Sequence, residues 1–165
     1  MKQLIIVRHA KTEVLQDGKT DFERNLKSRG INDSKLISEK LKEKEIIPDI
    51  IISSKANRAL QTAEIFADVF GYDKNKIEEQ NFLYDGFTTD DFISFLNNQN
   101  DSVNIIMVFG HSPSIEYLAF NLLDEFYEDV PTCAVIGIDF NVIQWKSVEA
   151  RKGKRSLYEF PKKYK

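Results

Sequence analysis

The sequence predicts an α/β protein of three layers, α/β/α, with a mostly parallel central sheet, an antiparallel edge strand and helices on both faces. Three observations carry this. Short apolar runs rich in β-branched residues recur along the chain, as the buried strands of parallel sheets do. Between them fall stretches with apolar residues at i, i+3, i+4 and i+7. The last two strand candidates follow each other with almost no connection, which places a hairpin at one edge of the sheet.

Taken in order, residues 4–7 (Leu-Ile-Ile-Val) read as the first strand and residues 49–53 as the second. Residues 104–109 give a third, 134–140 a fourth, and 142–148 a fifth, hairpin-linked through Asn141. A helix is expected over 56–70, where Ala56, Ala59, Leu60, Ala63, Phe66, Ala67 and Phe70 keep the helical rhythm and Gly71 stands at the C-cap position. A second follows Ser112-Pro113, an N-cap with proline at the first helical position, and carries Ile115, Leu118, Ala119, Leu122 and Phe126. Fainter periodicity marks helices over 31–44 and 90–98.

The chain has 165 residues, 42% of them hydrophobic and 30% charged, which suits one domain over residues 1–165 with a substantial core. It shows no apolar run of the roughly 20 residues needed to span a membrane. Arg8-His9 interrupts the first apolar run too soon for a secretory signal, and the lone Cys133 offers no internal disulfide, so the expected compartment is the cytoplasm. The net charge is −3; residues 146–165 hold eight Lys/Arg and two Asp/Glu, or +6, leaving −9 for the remainder. An acidic body argues against a nucleic-acid partner, and the basic tail reads as a solvated terminus.

Ligands of open parallel sheets bind beyond the carboxyl ends of the strands. The first strand delivers Arg8-His9 there. The second delivers Ser53-Ser54-Lys55, with Arg58 opening the next helix, and the third delivers Gly110-His111-Ser112. Both of the chain's two histidines therefore follow buried strands. An arginine at such a place is costly to bury without an anion, and guanidinium forks match phosphate oxygens. Positive surroundings lower the pKa of an imidazole, leaving a neutral ring nitrogen able to attack phosphorus. No phosphate-binding G-x-x-x-x-G-K-[ST] loop occurs. Cys133 lacks the following arginine of a cysteine phosphatase and reads as a core residue. The histidines lie far apart in sequence and beside cationic groups, so neither a metal nor a cofactor is expected.

Arg8-His9-Ala10-Lys11-Thr12, Asn25-Leu26 with Arg29-Gly30, residues 48–54 and Arg58-Ala59-Leu60-Gln61-Thr62-Ala63 form an ordered series with Leu83-Tyr84, Gly110-His111-Ser112-Pro113 and Pro131-Thr132-Cys133-Ala134. This series resembles the histidine phosphatase superfamily, with its phosphoglycerate-mutase-like fold, and within it the SixA-type phosphohistidine phosphatases. The resemblance spans nearly the whole chain and implies a single histidine phosphatase domain. It implies that His9 is the nucleophile and that Arg8, Arg58 and His111 cradle the phosphoryl group. Ala10 replaces the glycine of many members, and Asn25 stands where the branch often has proline. Asp85 falls where classical relatives have a glutamate acid, and is the candidate proton donor.

An imidazole leaves more readily than an alcohol, so a short acid favours P–N cleavage. Phosphohistidine on a signalling or phosphotransfer protein is thus the first substrate reading. A small phosphorylated molecule hydrolysed by the same fold, or a non-catalytic phosphate-binding module, are the alternatives. So small a domain is expected to leave an open, shallow pocket, with residues 11–28 as its rim; Asp21 and Arg24 either pair within it or are ordinary solvated charges. The oligomeric state is not legible.

Overall fold

The computed structural model describes residues 1–165. Six strands form one sheet: β1 (Lys2–Arg8), β2 (Ile50–Ser54), β3 (Glu78–Gln80), β4 (Ile105–Gly110), β5 (Val135–Phe140) and β6 (Lys154–Glu159). Their order across the sheet is β3-β2-β4-β1-β5-β6. The pairs β3/β2, β2/β4 and β4/β1 are parallel, and β1/β5 and β5/β6 are antiparallel. The helices are α1 (Ser28–Glu43), α2 (Asn57–Phe70), α3 (Phe82–Asp85), α4 (Thr89–Asn97) and α5 (Ser114–Leu122).

Alternation along each strand makes two cores. Leu4, Ile6, Ile52, Ile106, Val108, Ile136 and Ile138 face one side and pack with Phe92 and Leu96 of α4 and Ile115, Leu118 and Leu122 of α5. Ile5, Val7, Ile51, Met107, Phe109 and Val135 face the other, against Ile37 and Leu41 of α1 and Ala63, Phe66 and Ala67 of α2. Central strands apolar on both faces are what a sheet covered twice requires. Helix α2 ends as its sequence predicts, with Gly71 in the left-handed region at φ 72°.

Three expectations are corrected. Residues 142–148 form no strand; they hold a 3-10 turn over Trp145–Ser147. Trp145 is fully buried there, with its indole N–H donating to the Val103 carbonyl at 2.7 Å. Burying one large amphipathic ring overrides the strand-like apolar spacing. The partner of β5 is instead β6, from within the basic tail, which is therefore part of the sheet and not a solvated terminus. Its cations meet the acidic body: Lys154 pairs with Asp124, Arg155 with Glu128, and Lys165 with buried Asp33 at 2.7 Å. Lysine and arginine at the start of an edge strand also discourage pairing with other chains. Finally, α5 starts one residue later than expected. Pro113 occupies the N-cap, the Ser112 hydroxyl donates to Glu116 Oε2 at 2.6 Å, and Phe126 is buried beyond the helix end.

The segment after β1 lies tightly on α1. A Cβ at Gly30 would run into the Lys11 carbonyl oxygen, a backbone atom with little room to yield. Gly30→Ala should therefore destabilise the fold by about 1–3 kcal/mol; urea denaturation checks this, with an unchanged midpoint speaking against the close approach.

Candidate functional site

Register explains why the two histidines meet. In the parallel β1/β4 pair, Arg8 lies opposite Gly110, so the next residues, His9 and His111, emerge side by side. The His9 N–H donates to the Gly110 carbonyl at 3.0 Å, and the ring centroids stand 5.3 Å apart. On the other side of β4, β2 ends at Ser54, whose Oγ is 2.8 Å from His111 Nε2. The first turn of α2 then brings in Arg58. The Thr62 hydroxyl ties these parts together: it accepts the Ala10 N–H at 3.0 Å and donates to the Arg58 carbonyl at 2.7 Å.

His9 Nδ1 lies 2.8 Å from the Ala10 carbonyl oxygen. A carbonyl only accepts, so Nδ1 carries the proton and Nε2 keeps its lone pair. Burial pushes the His9 pKa down to about 4, helped by Arg58, Arg8 and Arg24 against the Ala10 bond. Burial likewise lowers His111 to about 3, with His9 and Arg58 adding to it. Both rings are neutral near pH 7. The positive surroundings inferred from sequence do act, but desolvation is the larger cause.

Arg58 is buried, and its guanidinium donates to the Asp21 carbonyl at 2.8 Å and to Asp21 Oδ2 at 3.0 Å. Asp21 also accepts from Arg24 at 3.0 Å and from the Tyr84 hydroxyl at 3.0 Å. Partial burial opposes the Asp21 charge, yet these donors outweigh it and hold the carboxyl down at about 2. Arg24 reaches back to Thr12 and Glu13, fastening the rim loop over the site. His9 and His111 are themselves buried, each keeping 9% exposure. Tyr84 closes one wall, its ring edge-on to His111 at 5.5 Å and to Phe22 at 5.0 Å.

Arg8 donates to the Val130 carbonyl at 2.8 Å, and its Nε is buried without a hydrogen-bond partner. It borders a neighbouring cleft of about 730 Å³ lined also by Glu116, Asp129, Val130 and Pro131. Asp85, the sequence candidate for the acid, is the exposed last residue of α3 and forms no side-chain hydrogen bond or ion pair. His9, His111 and Arg58 are thus gathered and Arg8 flanks them, whereas Asp85 stands outside their polar network. Sequence reasoning did not single out Ser54, Thr62 or Tyr84 as parts of this constellation, though all three lie within or beside its strand-end motifs. No group of three or more His, Cys, Asp or Glu side chains is arranged to hold a metal ion.

A model of the histidine phosphatase superfamily (branch 1) matches residues 4–83, which include His9, Arg58 and the rim loop. That match takes in just under half of the chain. Among curated relatives, the mitochondrial serine/threonine-protein phosphatase Pgam5 of Drosophila mojavensis is 34% identical over 85 residues, covering 52% of this chain and 29% of that protein. The chain therefore aligns with under a third of that relative's length. Among solved structures, the protein histidine phosphatase SixA complexed with tungstate superposes with a TM-score of 0.85 at 22% identity, covering 99% of both chains. SixA of Agrobacterium tumefaciens gives 0.79 at 22%, over 97% of this chain and 98% of that one. The chain shares the fold of these structures, phosphoglycerate-mutase-like, from end to end.

Two outcomes follow from the charges. Asp21→Asn removes a carboxylate from Arg58 and should tighten tungstate binding several-fold in calorimetry; equal or weaker binding would show that Asp21 does not compete. The histidines bind protons in the unfolded chain near pH 6.5 but in the native state only near 4 and 3. Their contribution to stability is thus complete above pH 6.5 and is lost as the pH falls towards those values. His111→Asn should flatten the fall in melting temperature between pH 7 and pH 4.

Proposed function

We propose that the protein is a phosphatase that transfers a phosphoryl group to His9 and then to water, and that its substrate is phosphohistidine on another protein. The observation that carries this reading is the protonation pattern beside the site. The nucleophile, His9 Nε2, has its lone pair free, while the carboxylate paired with Arg58, Asp21, is ionised and cannot donate a proton at neutral pH. An alcohol leaving group needs such a donor; an imidazole, with a pKa of about 6.5, leaves far more readily.

In this mechanism Arg58 and Arg8 bind the phosphoryl oxygens and stabilise the charge that spreads over them in the transition state. His111 donates a hydrogen bond to the same oxygens. Nε2 of His9 forms a bond to phosphorus as the P–N bond of the substrate breaks; its electron pair stays on the leaving imidazole, which takes a proton from solvent water. The Ala10 carbonyl keeps the Nδ1 proton and supports the positive charge that develops on His9. Water then attacks phosphorus, phosphate departs and neutral His9 returns. Asp85 could assist only by moving inward, so its place in the reading is as an auxiliary acid for ester substrates.

A protein substrate is supported by the cleft beside Arg8, which would take chain flanking the phosphorylated residue. A cytoplasmic setting belongs to the same reading: the one cysteine, Cys133, is fully buried and unpaired. No helix is long and apolar enough to cross a membrane.

Incubating the protein with a histidine-phosphorylated phosphotransfer domain and with p-nitrophenyl phosphate tests the proposal. The wild type should release phosphate faster from the former, and His9→Ala should abolish turnover of both while leaving the melting temperature within a few degrees. Faster hydrolysis of the ester would favour a small phosphorylated substrate, and turnover of neither with retained tungstate binding would favour a binding module. Asp85→Asn should leave P–N hydrolysis unchanged and slow ester hydrolysis by less than about tenfold.

A further inference from the structure

We propose that Ser54 is a positioning residue that sets the tautomer of His111, keeping the ring proton on Nδ1, where it can be donated to a phosphoryl oxygen. The inference rests on the reading of His111 as a phosphate ligand. It adds the reason why a neutral imidazole can bind an anion at all. A neutral ring has one N–H and one bare lone pair. Turned one way it attracts a phosphoryl oxygen, and turned the other it repels it.

The hydrogen bonds around Ser54 decide between these. Ser54 is the last residue of β2 and is fully buried. Its Oγ accepts the backbone N–H of Ala56 at 3.2 Å and lies 2.8 Å from His111 Nε2. A hydroxyl has one proton and two lone pairs. With one lone pair taken by Ala56, the remaining questions are where the hydroxyl proton goes and what Nε2 does. If Nε2 carried the ring proton, it would donate to Oγ. The hydroxyl proton would then have no acceptor in a buried site, and Nδ1 would present a lone pair to the anion. If Nε2 is bare, the hydroxyl donates to it, and the hydroxyl proton, the Nε2 lone pair and the Ala56 N–H are all matched. The ring proton then sits on Nδ1, the buried nitrogen without a protein partner. Only this second arrangement satisfies the Ser54 hydroxyl.

His9 is held in the same tautomer by a different device, but uses its other nitrogen. The Ala10 carbonyl draws the proton to Nδ1 and bares Nε2. In His111 the serine hydroxyl bares Nε2 but turns that nitrogen inward, away from use, and leaves Nδ1–H as the working atom. One backbone oxygen and one hydroxyl thus divide two like rings, 5.3 Å apart, into a nucleophile and a hydrogen-bond donor.

The test is nitrogen NMR of the full chain labelled at histidine. With two histidines in the sequence, the His9→Asn variant assigns both signals. The expected spectrum shows His111 protonated at Nδ1 and bare at Nε2. Ser54→Ala should mix or invert this tautomer, weaken vanadate binding and lower kcat by about tenfold, and leave the His9 signals in place; Ser54→Thr should restore all three. A wild-type His111 protonated at Nε2 overturns the inference. So does a Ser54→Ala protein that keeps the wild-type tautomer and vanadate affinity. If Ser54→Ala fails to fold, the wild-type spectrum and Ser54→Thr still decide. The underlying site reading fails separately: His111→Ala would then bind vanadate and turn over like the wild type, whatever the tautomer.

Discussion

The pairing of β1 with β4 is the constraint on which the rest depends. Once Arg8 lies opposite Gly110, the residues that follow have nowhere to diverge, and two imidazoles from positions about a hundred residues apart are fixed side by side. A slip of one residue would flip every side chain of β1 to the other face of the sheet. Leu4 and Ile6 would trade cores with Ile5 and Val7, and both cores are closely filled. The register that builds the site is thus held by apolar packing on both faces and does not depend on the polar groups at the strand ends.

Around that pair, the protein spends burial to control protonation. Desolvation, more than neighbouring charge, keeps both rings neutral. Two short hydrogen bonds, to the Ala10 carbonyl and from the Ser54 hydroxyl, then determine which nitrogen of each ring does what. The guanidinium groups supply positive potential without competing for protons, because arginine does not lose its own. The chemistry resides in the division of labour among groups that are individually ordinary.

Much of this was legible in the sequence. The apolar runs and the 56–70 helix are local patterns, and local patterns survive folding. His9, His111 and Arg58 were placed at one rim by a topological rule, which needs only the order of strands and helices. What could not be read depended on long-range exchange. The 142–148 segment has strand-like spacing, but burial of Trp145 and its bond to Val103 outweigh that preference. The true edge strand hid in a run of lysine and arginine because its pairing with β5 and its ion pairs with Asp124 and Glu128 are tertiary. Asp21 could be paired with Arg24 from their spacing; its reach to Arg58 and Tyr84 depends on a loop path that no periodicity encodes.

That reach changes how the site handles its cargo. Arg58 already holds a carboxylate on a loop of the same chain, so under the proposed function an incoming phosphoryl group is exchanged for a resident anion rather than added to bare charge. The free energy of capture is then only the difference between two ion pairs. On that reading the same carboxylate reclaims the guanidinium once inorganic phosphate loosens, so departure of the product is assisted by the protein itself. Such an arrangement gives up tightness of binding in return for rapid clearing of the site between turnovers.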